Sequence, residues 1–267
     1  MGESMTLNGT GYDFITVERD GRLTVVTLNR PEVHNALHAD AHTELERAFE
    51  EFEHDDHQWV AIITGSGDKA FCAGNDLRQQ TAGEALASPQ TGFAGLTGRF
   101  TLTKPVIAAV NGAAIGGGFE LALACDLIVA HERAIFALPE AKVGLAALAG
   151  GLQRLPREIG LKRTMGMVLT GRRVTAREGF DWGFVNEVTS EDVVLAARGW
   201  ATQLLNCSPL SLRATKETVL KGLEEPLEAT QRTQWSYRSV RAMLDSQDAI
   251  EGPRAFVEKR LAIWIGR

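Results

Sequence analysis

Residues 106–120 read VIAAVNGAAIGGGFE. The apolar run Val106–Val110 stops at Asn111-Gly112, and Gly116, Gly117 and Gly118 precede the segment that carries Glu120. A short apolar run closed by a turn dipeptide reads as a buried strand. Gly118–Cys125 reads as a short helix. Strand, glycine-rich turn and helix in that order make an α/β unit. Three glycines in a row remove every Cβ where backbone passes close to a ligand or a neighbouring loop. The N–H groups at the start of the helix are left to meet negative charge. Glu120 by itself also has a plain reading, an acid that compensates the helix dipole.

The alternation continues outward from this unit. Phe14–Glu18 and Leu23–Leu28 alternate apolar and polar residues around Asp20-Gly21, the pattern of a β-hairpin. Asp40–Phe52 carries Leu45, Ala48, Phe49 and Phe52 at helical spacing, with acids facing outward. Trp59–Thr64 and Asp126–Ala130 read as strands, and Ile135–Leu138 as another that ends at Pro139. Strand and helix signals alternate up to about residue 188, which predicts parallel crossovers and an α/β core over residues 1–190. Beyond it, Val193–Leu205, Leu210–Leu223, Leu227–Leu244 and Asp248–Val257 all read as helices. No Pro/Gly/Ser-rich linker intervenes. Residues 191–267 are therefore expected to be a helical layer whose apolar face is buried in a subunit interface or on the core.

Composition narrows the class. The 267 residues are 44% hydrophobic and 23% charged, which excludes disordered and fibrous chains. There are 27 glycines, where average usage gives about 19, and they show no G-X-Y period. A net charge of -6 argues against general nucleic-acid binding but leaves room for a phosphorylated ligand on a local basic patch. Cys72, Cys125 and Cys207 make no C-x-x-C pair and are expected to be small buried thiols in a reducing compartment. No basic-then-apolar leader is seen at the start. The longest apolar stretch, Val106–Ala130, is broken by Asn111, three glycines and Glu120, so no membrane span is expected. The expectation is a soluble cytoplasmic protein with neither membrane nor nucleic acid as partner.

Two motifs mislead. Gly65-Ser66-Gly67-Asp68-Lys69-Ala70 fits G-x-G-x-x-A after a strand, but no amphipathic helix follows, so it reads as a tight turn. His38 and His42 are spaced to share a helical face, with His34 one turn upstream. The zinc-protease pattern needs a Glu after the first His, and Ala39 stands there. These histidines are read as surface residues, and no metal site is expected. More informative is Ala73-Gly74-Asn75-Asp76, a second loop that follows strand and turn and opens a short helix. Two such loops can aim one N–H each at a single oxygen, as in an oxyanion hole. Pro139-Glu140 follows a buried strand. Alone this Glu faces solvent more often than not, but with Glu120 it offers two carboxyls whose pKa values a dry site would push apart.

At these residues the chain resembles the crotonase, or enoyl-CoA hydratase/isomerase, superfamily. The shared motifs span nearly the whole length. They include Leu28-Asn29-Arg30-Pro31, Asn35-Ala36-Leu37, Phe71 through Leu77, Lys104 through Gly118, Phe136 through Glu140, Thr170-Gly171-Arg172 and Phe256 through Arg260. The resemblance implies an α/β crotonase-like spiral of ββα repeats with a C-terminal helical trimerisation region, as a homotrimer or dimer of trimers. It implies a coenzyme A thioester substrate, with coenzyme A as part of the substrate and no separate cofactor. It places the oxyanion donors at the N–H groups of Asn75 and Gly117. It makes Glu120 the residue that activates water and Glu140 the one that delivers a proton to the α-carbon. Along the thioester and coenzyme A path it puts Ala36, His38, Ala73, Gly74, Asp76, Leu77, Gly116 and Pro139. Phe256 and Lys259 approach the nucleotide in this reading, with Lys259 able to pair with a phosphate.

Within the superfamily, Gly92 through Thr97, Gly118 through Leu123, Leu138 through Lys142 and Asp248 through Pro253 are similar to carnitinyl-CoA dehydratases. A quaternary ammonium head group asks for an aromatic cage or an acid, and Phe93 and Phe100 are the aromatic candidates. One departure points the other way. The family often has a Pro and a small polar residue before Gly150-Gly151, and this chain has Ala146-Ala147-Leu148-Ala149, an apolar wall that favours simple enoyl chains. The expected activity is enoyl-CoA hydration. Carnitinyl-CoA dehydration and enoyl-CoA isomerisation are the alternatives on the same fold, and a non-catalytic or RNA-binding homologue the alternative of another class.

Overall fold

The computed structural model of the chain describes residues 11–78 and 89–267. The start of the chain, where no leader was read, lies partly outside them. The hairpin forms as expected: β1 (Ile15–Asp20) pairs antiparallel with β2 (Leu23–Leu28). From β3 (Val60–Gly65) onward, strands come in couples. β3 is followed by β4 (Ala70–Cys72), β5 (Val106–Val110) by β6 (Ala113–Ile115), and β7 (Leu127–His131) by β8 (Ile135–Ala137). With β9 (Val174–Thr175) and β10 (Glu187–Thr189) they build two sheets. The larger runs β1-β2-β3-β5-β7-β10 and the smaller β4-β6-β8-β9. Every pairing is parallel except β1 with β2 and β8 with β9. Each turn of the chain lays one strand on each sheet before crossing over, which is a spiral of ββα units. The Gly65–Ala70 motif is the tight link between β3 and β4, as read.

The two-residue period of the strands decides which core each side chain joins. Val26 and Leu28 of β2 and Ala61 and Ile63 of β3 face the main core. There they meet helix α1 (Ala39–His54) and helix α2 (Gly117–Ala124). Leu23, Val25, Val60 and Ile62 face a second core, closed by Val193, Ala197 and Ala201 of the helix Val193–Leu205. With both faces covered, the central strands are apolar throughout rather than alternating. The Lys104 ammonium anchors the end of α1, donating to the carbonyls of Phe52 at 2.6 Å and Asp55 at 2.7 Å.

The C-terminal region departs from the sequence reading at one place. Leu227–Leu244 is not one helix. It is Leu227–Thr233, a 3-10 turn at Gln234–Ser236, and Arg238–Leu244, with Tyr237 extended between them. The run Thr233-Gln234-Trp235-Ser236 favours side-chain bonds to backbone over helix propagation. The Ser236 hydroxyl donates to Thr233 O at 2.6 Å, and Tyr237 turns inward onto Ala214 and Val240. The final residues fold back. Buried Asp248 accepts from the Ser208 hydroxyl at 3.0 Å and from the N–H groups of Ile265 and Gly266. Asp248→Ala strands three donors, so it is expected to cost about 2–3 kcal/mol, read as a lower urea midpoint with an unchanged slope.

Among the described residues, no helix is long and apolar enough to cross a membrane. The cysteine expectation holds only in part. Cys72 is buried, its thiol pushed up to about 12 by burial, whereas Cys207 is exposed.

Candidate active site

The site begins with two loops that touch. One joins β6 to α2, and Gly116 at its apex has φ +58° and donates to Ala137 O at 2.9 Å. The other leaves β4 as Ala73–Asp76. A Cβ on Gly74, where φ is +91°, would lie 3.2 Å from Gly117 N and 2.9 Å from Ile115 O. Only glycine fits there. At Gly118 the approach is closer still, with a Cβ only 2.0 Å from Cys72 O. The second loop is pinned from its far side, since Leu37 N donates to Gly74 O and Asp76 N to Leu37 O, both at 2.8 Å. Leu77 and Arg78 are helical, and residues 79–88 lie outside the described ones.

Among the described residues, neither Asn75 N–H nor Gly117 N–H donates to a protein acceptor. Gly117 is the first residue of α2, so its N–H is one of the helix's orphan donors and carries the positive end of the dipole. Free amides on two touching loops are the kind of donors that can meet an oxygen gaining negative charge.

Both glutamates border the first loop, Glu120 on the helix that Gly117 opens and Glu140 against Gly116. Glu120, one turn into α2, is 3% exposed and accepts from Gly151 N–H at 2.8 Å. Burial pushes its carboxyl up to about 7, against the opposing pull of the Gly151 and Ala149 amides and with a further push from Glu140. Glu140 opens the 3-10 turn Glu140–Val143 directly after Pro139. Its Oε1 lies 3.0 Å from where a Cβ on Gly116 would stand. Its Oε2 is buried without a partner among the described residues. Burial raises this carboxyl too. A buried oxygen without a donor nearby favours a protonated group. Both shifts run in the same direction, toward the protonated carboxyl, and the Glu140 charge adds to the rise at Glu120. The Arg154 guanidinium, bonded to Thr97 O at 2.8 Å, is the cation that most directly offsets the Glu120 charge.

Most of the other residues expected along the thioester path gather at the same edge. Ala36 is buried, and its carbonyl accepts from Arg30 at 2.5 Å. Ala73 N donates to His34 O. Asp76 is gripped by Arg78 and Arg30, which hold its carboxyl at about 2. His38 stacks edge-on against Phe14 at 4.3 Å, its Nδ1 buried without a partner among the described residues. Leu77 is half exposed. Among the described residues no hydrogen bond or ion pair ties Phe256 or Lys259 to these loops. Phe256 is 85% exposed on the last helix, and Lys259 ends that helix in the left-handed region.

Three readings need correction. His42 is not a surface residue: it is buried, with Nδ1 accepting from Ala94 N–H at 3.0 Å and Nε2 3.3 Å from Asn75 Oδ1. Burial keeps the ring neutral by lowering its pKa. Phe93 and Phe100 do not pair into a cage. Phe93 packs under Gly117, while Phe100 is 79% exposed near Arg154. In Ala146–Ala149 only Ala147 is buried, and Leu148 points outward. The segment's effect near the glutamates is through its backbone, since Ala149 and Gly151 supply the amides that favour ionised Glu120.

The family model described as Enoyl-CoA hydratase/isomerase matches residues 18–267. Among curated proteins, the carnitinyl-CoA dehydratase of Salmonella typhi is 46% identical over 260 residues, covering 93% of this chain and 97% of the relative. The same values hold for the protein of that name from Salmonella enteritidis PT4. Among solved structures, an enoyl-CoA hydratase from Mycobacterium tuberculosis H37Rv superposes with a TM-score of 0.89 at 36% identity, covering 95% of this chain and 99% of that one. One from Bacillus anthracis gives 0.87 at 32%, covering 96% and 100%.

Proposed function

Because the chain belongs to the enoyl-CoA hydratase/isomerase family, we propose that it adds water reversibly, in the syn sense, across the double bond of a 2-enoyl-CoA thioester. The observation that carries this reading is the buried Glu120 and the half-buried Glu140, whose Oε2 is shut off from solvent, set beside two loops with free backbone amides. The thioester oxygen sits between Asn75 N–H and Gly117 N–H. There it gains charge as the enolate forms, and one such donor is worth roughly 3 kcal/mol. Ionised Glu120 takes a proton from water as its oxygen attacks the β-carbon. Protonated Glu140 gives its proton to the α-carbon, so one water is added and the pair's single proton has changed sides. Dehydration is the same path reversed. Neither a metal ion nor a redox group is asked for.

A bell-shaped pH profile follows. Below the range where the pair holds one proton both carboxyls are neutral and no base remains; above it both are ionised and no acid remains. The Glu120 value of about 7 places one limb of kcat/KM near neutrality. A flat profile from pH 5 to 9 contradicts the pairing.

A second reading rests on the identity to carnitinyl-CoA dehydratases, that the acyl group ends in a trimethylammonium. Catalytic efficiencies on crotonyl-CoA and crotonobetainyl-CoA separate the two. A preference for crotonyl-CoA supports the simple enoyl substrate, and the reverse supports the charged one.

We also propose assembly as a homotrimer or a dimer of trimers in the cytoplasm. Phe256, Val257, Leu261 and Ile263 at the C-terminus are exposed apolar residues that a second copy would cover. In that assembly Phe256 and Lys259 reach the nucleotide of a neighbouring subunit. Sedimentation equilibrium at the mass of one chain would refute it.

A further inference from the structure

We propose that His42 is a positioning residue that holds the carriers of both oxyanion donors through one imidazole ring. This rests on the reading of Asn75 N–H and Gly117 N–H as those donors. An amide can only donate, so the 3.0 Å contact from Ala94 N makes Nδ1 an acceptor and leaves the ring's proton on Nε2. That proton faces Asn75 Oδ1, which ties down the side chain of the residue whose N–H is one donor. The same ring stands edge-on to Phe93, centroids 4.7 Å apart at 77°. Phe93 in turn lies against the other donor's residue, where a Cβ on Gly117 would be 2.6 Å from its ring.

The support behind His42 is rigid. Ala94 has φ +57°, unusual for a residue with a Cβ, so the turn at Phe93–Gly95 must be held from outside. A Cβ on Gly95 would lie 2.4 Å from Glu46 Cα, so this turn presses directly on α1. The buried Arg99 donates to Gly95 O and Glu46 O and pairs with Glu50 and Glu53, joining the two. His42 extends the stripe of Leu45, Phe49 and Phe52 on α1 by one turn. For packing alone an apolar residue would serve there. The imidazole adds one acceptor and one donor, and both are used.

The test separates the two nitrogens. His42→Leu removes both, His42→Asn keeps an acceptor for Ala94, and His42→Gln keeps a donor for Asn75. We expect kcat on crotonyl-CoA to fall roughly 10- to 100-fold in the Leu and Asn variants, with KM little changed and partial recovery in His42→Gln. A second readout does not need turnover. Acetoacetyl-CoA ionises to an enolate, and its ultraviolet enolate band should appear at higher pH on the Leu and Asn variants than on wild type. Binding of saturated butyryl-CoA should stay the same. Folded variants with wild-type kcat and wild-type enolate ionisation overturn the proposal. If wild type ionises acetoacetyl-CoA but hydrates no enoyl thioester, the hydratase reading fails, and the enolate band still decides the role of His42.

Discussion

Glu120→Gln should lower kcat about 10²- to 10⁴-fold while leaving KM near its wild-type value. The amide is nearly the same size as the carboxyl, and its oxygen can still accept from Gly151 N–H, so the fold has no reason to change. What is lost is the base. The same variant should gain stability over wild type as pH rises from 4.5 to about 7, and keep that gain above it. Burial raises the Glu120 pKa from 4.5 to about 7 in the folded chain. A carboxyl raised in this way favours folding while it is protonated. That contribution is complete below pH 4.5 and is lost as pH rises through 7. At pH 8 the raised value corresponds to about 3 kcal/mol. Gln cannot accept from a second amide as a carboxylate does, so the net gain should be roughly 1–2 kcal/mol. Thermal melts at pH 5 and pH 8 measure it. Retention of full activity by Glu120→Gln would favour isomerisation over hydration.

Gly118→Ala should have the largest effect on stability. A methyl group there meets Cys72 O at 2.0 Å and Cys72 C at 2.7 Å, both backbone atoms at the end of β4. Alanine ordinarily strengthens a helix by about 1 kcal/mol over glycine. Overpacking against a backbone costs roughly 3 kcal/mol or more, so the clash wins. Because Cys72 leads straight into Ala73–Asp76, relief of the clash must move Asn75. The variant should lose activity at temperatures where it is still folded. A denaturant midpoint and kcat equal to wild type would mean that the two loops are not in contact.

Why these loops were legible in the sequence while other features were not comes down to range. Gly74 and Gly118 announce themselves because a Cβ is excluded by the backbone of the neighbouring loop, Gly116 because its φ is +58°, and the glycines cluster in the chain. The hairpin and the central strands follow from a two-residue period and a turn dipeptide. The division of couples between two sheets does not follow, since β4 pairs with β6 across more than 30 intervening residues. The break at Gln234–Tyr237 was missed because apolar spacing continues through it, and only the side-chain bonds of Ser236 and the burial of Tyr237 interrupt the helix. His42 was missed for a simpler reason. Its spacing to His38 suggests a metal-ligand pair, whereas the stripe of Leu45, Phe49 and Phe52 carried back by one turn ends on it. The burial that raises Glu120 is out of reach of the local sequence, because the backbone at Gly151 that packs on it comes 31 residues downstream.

The most direct test is to incubate the wild-type chain with crotonyl-CoA and follow the loss of the conjugated thioester absorbance, with the product identified by mass. The expected result is a product one water heavier, formed by wild type and at least a hundredfold more slowly by Glu120→Gln and Glu140→Gln. A wild-type chain that leaves every short and medium 2-enoyl-CoA unchanged, or that moves the double bond without gain of mass, contradicts hydration at the Glu120 and Glu140 pair.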